Sequence, residues 1–137
     1  MDEIFKITKD EKRAKALIEM AQERYRTINN LKEPYRILEE YYEIIKELIT
    51  SIMYNSGFKT LSHKVLVEFA EKNISKLSSQ EILLIDELRI KRNNIVYYGE
   101  KITSEFLKSR ESFIRKIIEK LIISALSEIA KNKINRD

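Results

Sequence analysis

An arginine lies on the apolar face of a helix that the sequence predicts. Arg92 comes one turn after Leu88 and one turn before Val96, so the three side chains share a face at helical spacing. A guanidinium stays charged and is costly to bury alone. Arg92 therefore needs a partner, which is either a carboxylate or tyrosine hydroxyl of a neighbouring helix, another chain, or a bound ligand.

More polar and aromatic side chains follow Arg92 directly. Asn93 and Asn94 add hydrogen-bond donors and acceptors beside it, and Tyr97 and Tyr98 come at the end of the same helix. These residues form a compact polar patch at the end of an apolar helix. We therefore take this stretch as the candidate functional site.

Two ordinary ion pairs are predicted within this helix. Asp86 and Arg89 are three residues apart, and Glu87 and Lys91 are four apart, so each pair is adjacent on the helix surface. Neither pair provides a partner for Arg92.

The single histidine follows a serine. Ser62 and His63 could form a nucleophile and base, but adjacent residues in a helix do not face each other. The favoured interpretation is that Ser62 caps a helix and His63 is a surface residue of its first turn. Two further groups are interpreted as structural. The carboxylates are interpreted as solubilising charges: Glu39, Glu40, Glu43 and Glu47. The aromatic side chains are interpreted as part of the core: Tyr35, Tyr41, Tyr42 and Tyr54.

The elements that position the site are helices. A capping box over Thr8 to Glu11 predicts a first helix to about Asn29, and Pro34 and Gly57 bound a second, which should be the most buried. A third, shorter helix is predicted to begin near Thr60 to Ser62. The capping box Ser78-Ser79-Gln80-Glu81 begins the helix that carries Arg92, and Gly99 ends it. A last helix is predicted from about Thr103 or Ser104 to Ala130.

The composition agrees with an all-α fold. Only two Gly and one Pro interrupt the 137 residues, and there is no Cys. Short connections favour an up-and-down bundle of four to five antiparallel helices in a single domain over residues 1–137, with the core at about 8–130 and a frayed tail over 131–137. The broad apolar faces of the second and last helices suggest a homodimer.

Several classes of function are excluded or disfavoured. No apolar run is long enough to span a bilayer and no signal-peptide layout is present, so no membrane association and a cytoplasmic location are expected. No phosphate-binding glycine loop or cluster of metal ligands is found, so neither metal nor cofactor is predicted. The net charge of +4 is compatible with a nucleic-acid partner but is weak evidence for one.

The chain resembles the HEPN family of prokaryotic helical domains over roughly residues 10 to 125. A broad second helix precedes a short helix that begins Ser62-His63-Lys64, and a further helix ends in Arg92-Asn93-Asn94-Ile95-Val96-Tyr97 before an aromatic residue and Gly99. The family hallmark is an Arg, often followed by a polar residue, and then a His. Arg92 and Asn93 match the first two positions, and Tyr97 replaces the His.

The resemblance implies a dimer whose active members are metal-independent endoribonucleases, often of toxin–antitoxin type. A phenol, with an ordinary pKa of about 10, is a poorer base at neutral pH than an imidazole. The first hypothesis is therefore an RNA-associated domain that is at best a weak ribonuclease. The alternatives are a non-catalytic module that docks a nucleotidyltransferase, and an active ribonuclease in which Tyr97 substitutes for His.

The predicted site residues follow from these hypotheses. Arg92, Asn93 and Tyr97 are the candidate catalytic residues. The candidate RNA-binding residues are Arg89, Arg92, Asn93, Asn94 and Tyr98. In some family members the nucleotidyltransferase modifies a tyrosine two positions beyond the His, which corresponds to Gly99 here, so modification of Tyr97 or Tyr98 stays open.

Overall fold

The fold is all-α, as predicted, with one very short sheet. A computed structural model describes residues 3–136 of the chain, with side chains described up to residue 134. In that range the elements are β1 (Ile4–Lys6), α1 (Glu11–Thr27), a 3-10 turn (Ile28–Asn30), α2 (Pro34–Ser56), β2 (Phe58–Thr60), α3 (His63–Asn73), α4 (Ser79–Tyr98), α5 (Ser104–Lys108) and α6 (Glu111–Arg136).

Local sequence signals set most of the helix ends. Pro34 is in the first turn of α2, and Ser62 caps α3 by accepting a hydrogen bond from the Val65 amide at 3.2 Å. Ser78 and Glu81 form the predicted capping box at the start of α4, with both hydrogen bonds present. The predicted capping box of α1, which begins at Thr8, was wrong. Asp10 is the cap instead, and its side chain accepts a hydrogen bond from the Arg13 amide at 3.0 Å.

The α2 helix is the central element of the bundle, as expected. Its apolar side chains are buried around most of its circumference, because α1, α3, α4 and α6 all pack on it. The buried apolar residues of α2 are Leu38, Tyr41, Tyr42, Ile44, Ile45, Leu48, Ile49, Ile52 and Met53. The broad apolar face of α2 is therefore covered within one chain and gives no argument for a dimer.

One glutamate of α2 was misinterpreted from the sequence as a solubilising charge. Glu47 is only 4% exposed, and Arg24 of α1 holds its carboxylate at 3.1 Å. The same guanidinium donates a hydrogen bond to Glu40 at 2.8 Å. Arg24 thus joins α1 to α2 through a largely buried ion pair.

The predicted last helix is divided in two. The chain bends at Ser109 and Arg110, where Arg110 reaches back to Glu87 of α4 at 2.7 Å and covers the Phe106 ring at 3.7 Å. The α6 helix then continues beyond Ala130 to Arg136 instead of fraying. Asn132 explains this extension, since it donates hydrogen bonds to Asn55 at 2.6 Å and to Glu11 at 2.9 Å.

The sheet was not predicted. Strands β1 and β2 pair antiparallel over three residues each, with Ile4 opposite Thr60 and Lys6 opposite Phe58. Strands of three residues carry too little alternation to be recognised in a sequence. None of the helices in the described range has both the length and the apolarity that a bilayer crossing requires.

The two glycines offer a matched test of the helix ends. Gly57 and Gly99 both have positive φ, 86° and 65°. Each alanine variant should lose about 1–2 kcal/mol of unfolding free energy, because an L-residue is strained in this region. Gly57→Ala should lose more, since its Cβ would lie 3.0 Å from the Ile7 carbonyl oxygen whereas nothing lies within 4 Å at Gly99. Urea denaturation measures both, and equal losses would contradict the steric argument.

Candidate nucleic-acid interface

The α4 helix presents Arg92 toward the bundle. Leu88, one turn earlier, is fully buried, and Ile95, three residues later, is 9% exposed. The Arg92 side chain is half-buried between them. This confirms that Arg92 shares the inward face of α4 with core residues, although Val96 on its other side is 48% exposed.

Arg92 has no acidic partner among the described side chains. Its guanidinium donates a hydrogen bond to the Asn93 carboxamide oxygen at 3.3 Å, and no carboxylate or tyrosine hydroxyl forms an ion pair or hydrogen bond with it there. Arg24 and Arg110 of the same bundle each bind at least one carboxylate directly. The structural alternative for Arg92, a carboxylate or hydroxyl on a neighbouring helix, is therefore not found in the described part of the chain.

One of the two predicted ion pairs of α4 is present. Arg89 binds Asp86 at 2.7 Å, as expected. Glu87 and Lys91 do not pair with each other, because Glu87 binds Arg110 of the α5–α6 bend and Lys91 binds Glu100 at 3.2 Å. Both side chains thus form ion pairs with residues that follow α4 in the sequence.

His63 is the residue that sequence reasoning missed. It is the first residue of α3, but it is half-buried against α2, and its Nδ1 lies 3.2 Å from the Tyr42 hydroxyl. The two rings are tilted, with centroids 5.7 Å apart. The interpretation of His63 as a surface residue was wrong, since the start of α3 packs on α2.

Burial and nearby cations favour the neutral imidazole. Burial is the largest cause that lowers the pKa of His63 below its usual 6.5, followed by the positive charges of Lys46 and Arg92. Glu43 opposes this shift and Arg89 adds to it. His63 is therefore uncharged at neutral pH and can accept a proton.

Tyr42 remains a phenol under the same conditions. Its side chain is 1% exposed, and burial raises its pKa to about 12, against the opposing charges of Arg89 and Arg92. The Tyr42 hydroxyl is therefore a neutral hydrogen-bond partner that fixes the His63 ring. The structure thus puts one imidazole of α3 in contact with one phenol of α2, and the charges of two arginines of α4 act on both groups.

The remaining predicted site residues lie in different environments. Asn93 contacts Arg92, whereas the Asn94 side chain donates a hydrogen bond to Glu100 at 3.4 Å beyond the helix end. Tyr97 and Tyr98 are 70% and 82% exposed. Five residues along a helix turn the side chain by roughly 140°, so Tyr97 faces away from Arg92.

His63 also lines a cleft. It has a volume of about 560 Å³ and lies between α1, α2 and the segment from Thr60 to Leu66. Its walls are formed by Arg13, Ala16, Leu17, Met20, Glu43, Lys46, Glu47, Thr50, Tyr54, Thr60, Leu61, Ser62, His63 and Leu66. Across the described residues, no group of three or more His, Asp or Glu side chains is arranged to hold a metal ion.

Comparison with known proteins adds no assignment. No protein-family model matches this chain, and no curated protein or solved structure matches it significantly. The HEPN resemblance therefore stays a prediction that rests on the sequence motif around Arg92.

Proposed function

We propose that this chain is a HEPN-like domain that binds RNA through a phosphate site formed by Arg89 and Arg92. The observation that carries the proposal is the half-buried Arg92 guanidinium, which no carboxylate neutralises in the described structure. A phosphodiester provides two non-bridging oxygens that share one negative charge and match the guanidinium fork. Binding would pair the charge that folding leaves without an acidic partner.

The test is RNA binding as a function of salt. We expect affinity to fall steeply with salt concentration, and Arg92→Ala to weaken binding about tenfold and to flatten the salt slope by about 0.7 to 1. Arg26→Ala is the matched control, since Arg26 is an exposed arginine on α1. Fluorescence anisotropy with a labelled oligonucleotide measures the RNA affinity of the wild type and of both variants. Equal losses in the two variants would contradict a phosphate site at Arg92.

The neutral His63 favours RNA cleavage as a second candidate function. In the tautomer whose Nδ1–H donates to the Tyr42 hydroxyl, Nε2 has a free lone pair. The 2′-oxygen of the substrate would attack the adjacent phosphorus and lose its proton to Nε2 of His63. The bond from phosphorus to the 5′-oxygen breaks, the 5′-oxygen takes a proton from water, and a 2′,3′-cyclic phosphate remains.

In this proposal Arg92 stabilises the negative charge that develops on the phosphoryl oxygens. His63 takes over the role that the motif would assign to position 97. Tyr97 is less suited to it, because it faces away from Arg92 and toward solvent. The reaction needs no metal ion.

The outward face of α4 supports a homodimer as part of the proposal. Leu83, Ile90 and Tyr97 recur every seven residues, and they are 68%, 47% and 70% exposed. Such a stripe is typical of helix pairing between chains. The alternative occupant is a nucleotidyltransferase, which would dock on the same stripe.

We expect Leu83→Glu to convert the dimer to a monomer, because a charge would enter the apolar contact. Leu61→Glu, at a leucine outside α4 that is 88% exposed, should leave the dimer intact. Light scattering after size-exclusion chromatography measures both masses. A monomeric wild-type chain would contradict the dimer and leave the stripe to a different protein.

A further inference from the structure

The cleft that His63 lines has three walls, and one face of α1 forms the first. Ala16, Leu17 and Met20 follow Arg13 by three, four and seven residues, so the four side chains share a face of the helix. Ala16 and Met20 are exposed, although both are apolar. This wall is therefore apolar along most of its length and ends in one guanidinium group.

The second wall is a row of polar side chains on α2. Lys46, Thr50 and Tyr54 are four residues apart in turn, so they are neighbours along one side of the helix. Arg13 donates a hydrogen bond to the Tyr54 hydroxyl at 3.1 Å, which joins the polar ends of the first two walls. The third wall is the segment after β2, where Leu61 is 88% exposed. The cleft thus has apolar side chains opposite a row of polar groups.

Three hydroxyl groups that line the cleft have unused hydrogen-bond donors. The Tyr54 hydroxyl accepts a bond from Arg13, and the Ser62 hydroxyl accepts one from the Val65 amide, but neither donates to a described residue. The Thr50 hydroxyl forms no hydrogen bond with any residue that the structure describes. The cleft is therefore suited to a ligand that accepts hydrogen bonds.

The ion pairs around the cleft leave Arg13 as its most weakly paired charge. The two carboxylates in the walls, Glu43 and Glu47, are each bound by a cation within 3.1 Å. The Arg13 guanidinium lies 4.0 Å from the Asp10 carboxylate, and both side chains are exposed, so this ion pair is weak. An anionic group at this end of the cleft would gain charge-assisted hydrogen bonds from Arg13.

A carboxylate attached to an apolar body is complementary to these walls. Its two oxygens accept hydrogen bonds from guanidinium and hydroxyl groups, and its body covers apolar side chains that are now open to water. The volume of about 560 Å³ falls within the roughly 300–1,000 Å³ that small-ligand sites occupy. The cleft is therefore large enough for an organic acid with one or two rings.

We propose that the cleft between α1, α2 and the segment after β2 binds a small organic acid. The carboxylate lies at Arg13, Thr50 and Tyr54, and the apolar body lies against Met20 and Leu61. This ligand site goes beyond the proposed RNA binding and shares no residue with the phosphate site on α4. The two proposals can therefore fail separately.

The test compares naphthaleneacetate with its neutral amide by isothermal titration calorimetry. We expect the acid to bind at least about tenfold more tightly, because only the acid places a negative charge at Arg13. Arg13→Gln should weaken binding of the acid about tenfold and leave the affinity for the amide nearly unchanged. Arg26→Gln is the matched control at an exposed arginine on a different face of α1, and it should change neither affinity. Equal affinity for acid and amide, or equal losses in the two variants, would overturn the carboxylate site.

Two further variants test where the acid lies. Ala16→Phe fills the cleft from an exposed position of α1 and should weaken binding of both acid and amide about tenfold, whereas Ala130→Phe, at an exposed alanine of α6, should change neither. Thr50→Val removes one hydroxyl donor and should weaken binding of the acid about threefold to tenfold. Unchanged affinity in Ala16→Phe, or no binding of the acid at about 1 mM, would contradict the proposal. Thermal unfolding of each variant verifies that the fold is retained.

Discussion

Replacing His63 with alanine is expected to lower metal-independent RNA cleavage about 100-fold or more, the usual contribution of a general base. RNA affinity should change less than about threefold, because the neutral imidazole contributes little to binding the phosphate charge. The RNA should therefore stay largely intact over the time in which the wild type converts it to a 2′,3′-cyclic phosphate. Gel electrophoresis of an end-labelled oligonucleotide with EDTA present measures the rate.

The pH profile distinguishes His63 from Tyr97. Burial and the charges of Lys46 and Arg92 lower the pKa of His63, so its neutral form persists somewhat below pH 6.5. Cleavage should therefore be retained as the pH falls to about 6.5, and should be lost only when the imidazole is protonated. Tyr97→Phe should cleave like the wild type. Full activity in His63→Ala, or its loss in Tyr97→Phe, would transfer the base role to Tyr97.

Replacing Arg24 with alanine is expected to cost about 2–3 kcal/mol of unfolding free energy. Glu47 is 4% exposed, and the variant would leave its carboxylate buried without a cation. We place the loss below the roughly 3–5 kcal/mol that breaking a fully buried pair usually costs, because the Arg24 side chain is itself 35% exposed. Urea denaturation at pH 7 measures the loss.

Arg26→Ala, two residues away and exposed, is the control and should change stability by less than about 0.5 kcal/mol. Burial already raises the pKa of Glu47, and Arg24 opposes that shift. Without Arg24 the folded state should bind the proton more tightly than the unfolded state, so the deficit should shrink as the pH falls toward 5. The double variant Arg24→Ala/Glu47→Gln should regain part of the loss. A pH-independent deficit with no regain would mean that Arg24 acts through packing alone.

The helix ends could be predicted because their causes are local. Pro34 fixes φ at the start of α2, and Gly57 adopts the left-handed conformation that ends it. Ser78 and Glu81 satisfy each other's amides within a single turn. Signals that act over three or four residues can be recognised in a sequence without knowledge of the fold.

Most of the errors, unlike the cap of α1, involve contacts between distant residues. The bend before α6 depends on Arg110 and Glu87, which are 23 positions apart, and the extended end of α6 depends on Asn132 and Glu11, which are 121 apart. A single sequence contains no signal for such pairs. The apolar periodicity of the last predicted helix therefore gave no sign of the bend at Ser109 and Arg110.

The candidate site was predicted in part for the same reason. Helical spacing placed Arg92 on an inward face, which the structure confirms. The contact of His63 with Tyr42 joins residues 21 positions apart on different helices, so the spacing argument could not find it. Tyr97 was predicted to belong to the site because of its position in the motif, but the helical rotation between the two residues points its side chain away from Arg92. The roles of Arg92, His63 and Tyr97 in RNA chemistry stay predictions.

The pairing of β1 with β2 has a practical consequence for work with this protein. Strand β2 leads directly into Leu61 and Ser62, and the Thr60 hydroxyl donates a hydrogen bond to the Glu3 carbonyl at 2.8 Å. A ladder of three residue pairs has little stability of its own. Strand β1 therefore helps to hold one rim of the cleft in place, about sixty positions away in sequence. A truncation that removes β1 would loosen this rim while leaving every cleft residue intact.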